Sequence, residues 1–147
     1  MLKPVFLTLL LAASVLAAPQ MDVFHDTAAD AYIAYFANDK GEVFCSYTGE
    51  VEKLAELPGP GPCDIAALYD SASDVWYAVA VNGGGRVFDI LGENSVSEFG
   101  RVPGKAPYSI SVIYDAKEDA YVIFVLSADG AVHLYNNGEF QEVMHLP

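Results

Sequence analysis

The middle of the chain contains one set of side chains whose types suit ligand binding: Trp76, Tyr77, Arg86 and Asp89. Aromatic rings can stack on the apolar faces of sugars. Arginine and carboxylate groups form charge-assisted hydrogen bonds that can hold hydroxyl groups. In the alternative interpretation, Trp76 belongs to the hydrophobic core, whereas Arg86 and Asp89 lie on an exposed rim. These four residues are the candidate ligand-binding site.

No pattern of residues predicts catalysis or a bound metal ion. The three histidines, His25, His133 and His145, have no metal-ligand spacing, and no serine lies in a nucleophile-elbow motif. Among the 20 acidic residues, no pair stands out for glycoside hydrolysis. We therefore expect a protein that is not an enzyme and has no catalytic residue, cofactor or metal ion.

The first 17 residues have the layout of a secretory signal peptide. One positive charge, Lys3, precedes an uncharged apolar stretch over residues 5–16, and Val15 and Ala17 fit the rule for cleavage after Ala17. Because this stretch is short for a membrane span, a retained N-terminal anchor is the weaker alternative. We expect a secreted, extracellular protein whose mature part, residues 18–147, forms a single domain.

Composition narrows the choice of partners. The formal net charge is −13 and the isoelectric point is about 4.2. A surface of that charge repels phosphate, so nucleic acid is excluded as a partner of the usual electrostatic kind. Aromatic residues make up 12% of the chain and charged residues only 18%, which excludes a disordered protein. After cleavage of the leader, no segment remains that predicts a membrane association.

The two cysteines, Cys45 and Cys63, are predicted to form a disulfide. An even number of cysteines in an exported chain favours this pairing. The chain-entropy model assigns such a loop about 3 kcal/mol of stabilisation. Two buried free thiols are the alternative.

A threefold internal repeat organises the mature chain, with units at about 19–62, 63–107 and 108–147. Each unit contains an Asp-x-x-x-Asp frame, an aromatic residue two positions after the second aspartate and a glycine eleven positions after it. The frames lie at residues 26–30, 70–74 and 115–119. We expect the aspartates to form turns through Asx-type hydrogen bonds; a calcium site is the alternative.

The repeat predicts an all-β protein with four strands in each unit. Runs of β-forming residues separated by turn residues are found in the second unit at 65–69, 76–81, 86–90 and 95–99, and in the third at 110–114, 121–126, 132–135 and 140–146. The first two strands of a unit are nearly continuous apolar runs, which favours stacked, β-propeller-like blades covered on both faces. A β-trefoil, whose barrel strands should alternate, is the alternative.

The units resemble blades of the six-bladed fungal fucose-specific lectins. The closest local matches are segments 127–132 and 137–140. The resemblance implies a propeller fold and sugar binding. The arginine that those lectins carry on the second strand is replaced here by Ile33, Tyr77 and Val122. The acidic residue of the third strand is matched by Asp89 alone, and the aromatic residue of the fourth strand by Phe140 alone.

Together these features predict a secreted, non-catalytic recognition module with lectin-like glycan binding. The alternative is a secreted effector that binds a protein partner without sugar recognition, and a hydrolase is the third possibility. Three blades are fewer than the four to eight of a closed propeller. A homodimer could therefore close a six-bladed ring.

Overall fold

The computed structural model describes residues 20–61, 64–92 and 95–147, and these residues form strands and turns without a helix. The all-β prediction is confirmed, and the strands in each unit number four as expected. The predicted signal peptide, residues 1–17, lies outside the described residues. The twelve strands are β1 (Gln20–Asp26), β2 (Ala31–Ala37), β3 (Glu42–Tyr47), β4 (Glu50–Glu56), β5 (Asp64–Asp70), β6 (Val75–Val81), β7 (Arg86–Ile90), β8 (Val96–Arg101), β9 (Tyr108–Asp115), β10 (Ala120–Ser127), β11 (Ala131–Asn136) and β12 (Glu139–His145).

The strands form three separate four-stranded antiparallel sheets, one for each repeat. Each sheet is a meander in which a strand pairs with its neighbours in the chain: β1 to β4, β5 to β8 and β9 to β12. The first strands of the sheets pack side by side, β1 against β5 and β5 against β9. The described strands do not pair between sheets, so the closed barrel of the trefoil alternative is not formed.

The Asp-x-x-x-Asp frames are the turns between the first two strands of each sheet. The first aspartate closes the turn with its Oδ1 atom, which in the first sheet accepts hydrogen bonds from the backbone N–H groups of Ala28 and Ala29 at 2.8 and 2.9 Å. The same bonds are made in the other two sheets. The second aspartates have φ angles of 51°, 55° and 50°, a region that Asp tolerates well. The Asx-turn interpretation is confirmed.

The repeated glycine anchors the last strand of each sheet. Gly85 has a φ of 77°, and its carbonyl oxygen accepts a hydrogen bond from Val102 N–H at 2.8 Å. A Cβ atom at this position would lie 2.6 Å from the Val102 carbonyl oxygen, which explains why only glycine fits here. Gly41 and Gly130 make the equivalent bonds to Leu57 and Leu146.

Two hydrophobic clusters lie between the sheets. One joins the first and second sheets and includes Ile33, Ala78 and Phe88. The other joins the second and third sheets and includes Val79 and Ile123. The middle sheet is therefore covered on both faces, which accounts for the unbroken apolar sequence of β6.

Candidate functional site

An open cleft of about 1170 Å³ lies between the first and second sheets. It is bounded by the Asx turn of the first sheet, by β3 and β4, and by the beginning of β6. A volume of this order is enough for a ligand of a few sugar rings. The lining residues are Asp26, Ala28, Ala29, Tyr35, Cys45, Tyr47, Glu50, Val51, Glu52, Leu54, Asp74, Val75, Trp76, Leu91 and Gly92.

Trp76 forms the aromatic wall of the cleft and is held on two sides. Its indole N–H donates a hydrogen bond to Oδ2 of Asp26 at 2.6 Å. Its ring centroid lies 5.2 Å from that of Tyr47 and 6.5 Å from that of Phe24. Asp26 is nearly inaccessible to solvent, with 4% of its surface exposed. The wall is therefore fixed before any ligand binds, which lowers the entropy cost of binding.

Cys45 and Tyr35 form the floor of the cleft. Cys45 is a free, buried cysteine, so the predicted disulfide is not present in the structure; its expected partner, Cys63, lies outside the described residues. Burial raises the pKa of the Cys45 thiol. Burial also raises the pKa of Tyr35, and the neighbouring Cys45 raises it further. Both groups are therefore protonated at neutral pH.

The rim of the cleft is acidic. Glu50 and Glu52 contribute carboxylates from β4, and Asp74 contributes one from the Asx turn of the middle sheet. Among the residues that the structure describes, no lysine, arginine or histidine lines the cleft. Ionised carboxylates only accept hydrogen bonds, so the rim suits ligands rich in hydroxyl or ammonium groups and repels anions.

Asp26 both closes the Asx turn of the first sheet and fixes the tryptophan of the cleft. The backbone N–H of Ala29 lowers the pKa of Asp26, burial opposes this, and the Trp76 indole and the Ala28 N–H lower it further. The carboxylate is consequently ionised at neutral pH. It holds the Asx turn with one oxygen and the tryptophan with the other.

The structure separates the four residues of the sequence-predicted site. Trp76 lines the cleft, but Tyr77 points to the opposite face of the sheet, because successive residues of a strand alternate. Tyr77 is 5% exposed and stacks on Tyr121 with the ring centroids 3.9 Å apart. The structure therefore does not bring these two aromatic residues together in the cleft.

Arg86 and Asp89 also lie away from the cleft. Arg86 is at the far end of the middle sheet, where its guanidinium group pairs with Glu98 at 2.5 Å and lies 5.2 Å from the centre of the Phe88 ring. Asp89 is buried with one carboxylate oxygen unpaired, and burial raises its pKa. The two do not form the expected Arg–Asp couple at a shared site.

Sequence analysis missed the residues contributed by the first sheet, above all Tyr35, Tyr47 and the two glutamates. They were not predicted because the sequence does not indicate which faces of consecutive repeats pack against each other. The aromatic–aspartate hydrogen bond could have been anticipated, since an aromatic residue follows each Asp-x-x-x-Asp frame at a constant distance. That the acceptor would be the aspartate of the preceding repeat could not have been anticipated.

No protein-family model matches the chain, and no curated protein matches it significantly. Within the described residues no group of three or more potential metal ligands is found. The same residues contain no helix long and apolar enough to cross a membrane.

Proposed function

We propose that the protein is a secreted, non-catalytic recognition module whose three sheets are blades of a β-propeller. Three features support the blade interpretation. Each sheet has four antiparallel strands in chain order, their first strands lie side by side, and the sheets pack face to face through apolar side chains. These are the features by which propellers are built.

The ligand proposed for the cleft is a neutral or amino-substituted glycan. The observation that carries this proposal is the combination of Trp76 and Tyr47 with carboxylate acceptors in one open cleft. Ring faces bind the C–H faces of sugars, and Glu50 and Glu52 can accept hydrogen bonds from hydroxyl groups. Because carboxylates repel other anions, glycans that carry sulfate or carboxylate groups should bind weakly or not at all.

Fluorescence provides the direct test, since Trp76 is the only tryptophan in the chain. Titration with soluble neutral and amino oligosaccharides should change the emission with dissociation constants of about 0.1–1 mM, as expected for a few weak contacts. The double variant Glu50→Gln/Glu52→Gln should weaken the binding about tenfold. The control Glu139→Gln/Glu142→Gln, which changes two exposed glutamates of the third sheet, should leave it unchanged.

A broad glycan screen decides between this function and the alternative of a protein partner. If the correctly folded protein binds no glycan, the lectin proposal fails. The acidic rim would then fit a basic segment of a secreted or cell-surface protein, which is the effector interpretation. Turnover of a glycan during the titrations would instead contradict the non-catalytic assignment.

A further inference from the structure

The two contacts between neighbouring sheets are built on the same hydrogen bond. The Trp76 indole of the second sheet donates to Oδ2 of Asp26 in the first sheet. In the same way, the Tyr121 hydroxyl of the third sheet donates to Oδ2 of Asp70 in the second, at 2.9 Å. At each contact the earlier sheet thus supplies its turn aspartate and the later sheet its aromatic residue.

The first and third sheets each carry one group of this type, a donor and an acceptor respectively, that has no partner in the described residues. Tyr32 is the aromatic residue of the first sheet, before which the described residues form no other sheet, and its side chain is 73% exposed. Asp115 is the turn aspartate of the third sheet, which is the last sheet that the described residues form. Its Oδ1 closes the turn. Among the described residues, neither Oδ2 of Asp115 nor the Tyr32 hydroxyl has a hydrogen-bond partner.

The faces around these two residues are apolar in the same pattern as the buried faces between sheets. The outward side chains of the first sheet occupy particular repeat positions. In the second and third sheets, the residues at these positions pack against the preceding sheet. On the first sheet they are Met21, Val23, Tyr32, Ala34, Phe36 and Phe44. On the third sheet, the outward apolar side chains are Ile113, Val122, Phe124, Leu126, Val132 and Leu134. Exposed apolar surface on this scale is rare in monomers.

We propose that a second copy of this chain covers both faces, with the Tyr32 hydroxyl of each copy donating a hydrogen bond to Oδ2 of Asp115 in the other. The first sheet of one copy then packs on the third sheet of the other, as neighbouring sheets pack within the chain. Six is the only multiple of three between the four and eight blades of typical propellers, so two copies close the ring. This inference rests on the blade interpretation above and is independent of the glycan.

The proposed contact between copies forms through mainly uncharged side chains, although the chain as a whole is strongly acidic. Each copy has a formal net charge of −13, so two copies repel each other at long range. The contacting faces consist mainly of uncharged side chains, and attraction between them is insensitive to screening. Added salt should therefore strengthen the dimer, because it screens only the repulsion.

Sedimentation equilibrium of the secreted protein tests the assembly. We expect twice the mass of one chain, with a dimer that persists at micromolar concentration. Tyr32→Phe removes one charge-assisted hydrogen bond from each of two contacts and should raise the dissociation constant about 100-fold. The control Tyr114→Phe removes a hydroxyl that is bonded within the third sheet and should leave the constant unchanged.

A second variant tests the apolar faces. Ile113→Glu places a carboxylate on a side chain that is 53% exposed in the single chain, so the chain should fold. The expected result is a monomer at all accessible concentrations. A wild-type protein that is a compact monomer would overturn the proposal, and so would a dimer that survives Ile113→Glu unchanged.

Photochemical cross-linking distinguishes the ring from other dimers. Replacement of Tyr32 by the photoreactive amino acid p-benzoylphenylalanine should yield cross-links to the turn around Asp115 of the second copy. Cross-links between the two first sheets would mean a back-to-back dimer and overturn the ring. Because the cleft lies within one chain, glycan binding by the Ile113→Glu monomer reports on the proposed function separately.

Discussion

The two interfaces between sheets share one hydrogen-bond design but differ in how they are filled. Between the first and second sheets a cleft of about 1170 Å³ is left open. Between the second and third sheets Tyr77 and Tyr121 stack closely, and the depression beside their turns measures about 460 Å³. Repetition of the fold therefore does not imply repetition of a site.

Side-chain size at three repeat positions accounts for the difference. In the second interface, the Tyr135 ring lies 4.9 Å from Phe99 and 5.1 Å from Phe140, measured between centroids. The strand registers place the smaller Leu54, Ile90 and Val96 at the equivalent positions one repeat earlier, 44 or 45 residues before them. The first interface thus lacks three rings that the second has, although the sheets share one strand order.

The largest expected loss of stability comes from removing a ring from the interface between the second and third sheets. Tyr77→Ala removes a buried ring that is stacked on another and should lower the free energy of unfolding by about 3–5 kcal/mol. Tyr47→Ala in the open cleft removes a ring that is 39% exposed and should cost less than about 1 kcal/mol. Urea unfolding of both variants measures the contrast. Equal losses would mean that the two interfaces are equally packed.

The shared hydrogen bond should have a similar strength in both interfaces. Trp76→Phe and Tyr121→Phe each remove a donor to a turn aspartate while retaining an aromatic ring. Each should lower Tm by about 3–6 °C, because a bond to a charged group is lost. Calorimetry of the two variants checks this. A shift at one interface alone would contradict the common design.

Acid should weaken both interfaces in the same pH range. Burial alone would raise the pKa of Asp70, but hydrogen bonds from Tyr121 and Ser73 outweigh it and lower the pKa; the pKa of Asp26 is lowered as well. A lowered folded-state pKa contributes stability that is present above the ordinary value of 3.8 and is lost as pH falls through the folded-state value. Unfolding measured between pH 6 and pH 2.5 should show the loss below about pH 4. The loss should be reduced in Asp26→Asn.

The smallest effect on stability is expected from a substitution that adds an aromatic ring to the interface between the first and second sheets. Val96→Phe places a ring where the third repeat has Phe140, and Val96 is only half-buried, so Tm should change by less than about 2 °C. Glycan binding, followed by Trp76 fluorescence, should nevertheless decrease. Undiminished binding by this variant would place the ligand elsewhere. An exposed substitution such as Ser97→Phe on the neighbouring residue of β8 is the matched control.

Sequence alone predicted the strands and turns well because both depend on local chemistry. Four strands in each unit follow from apolar runs bounded by glycine and aspartate, and Asp70 makes the turn bonds that its spacing predicts. The site could not be predicted in the same way. Trp76 and Tyr77 are neighbours in sequence but face different sheets, and Arg86 is held by Glu98. Contacts between sheets depend on packing between repeats, which local patterns do not encode.

The meander topology has a consequence for motion. Because every strand pairs only with its neighbours in the chain, each sheet can form from local hairpins, which favours fast folding. Opening of one sheet leaves the ladders of the other two intact, so each sheet should behave as a cooperative unit in hydrogen exchange. The middle sheet is covered on both faces and should exchange its amide protons last. In an isolated chain the two outer sheets should open first, from the ends of the array inward.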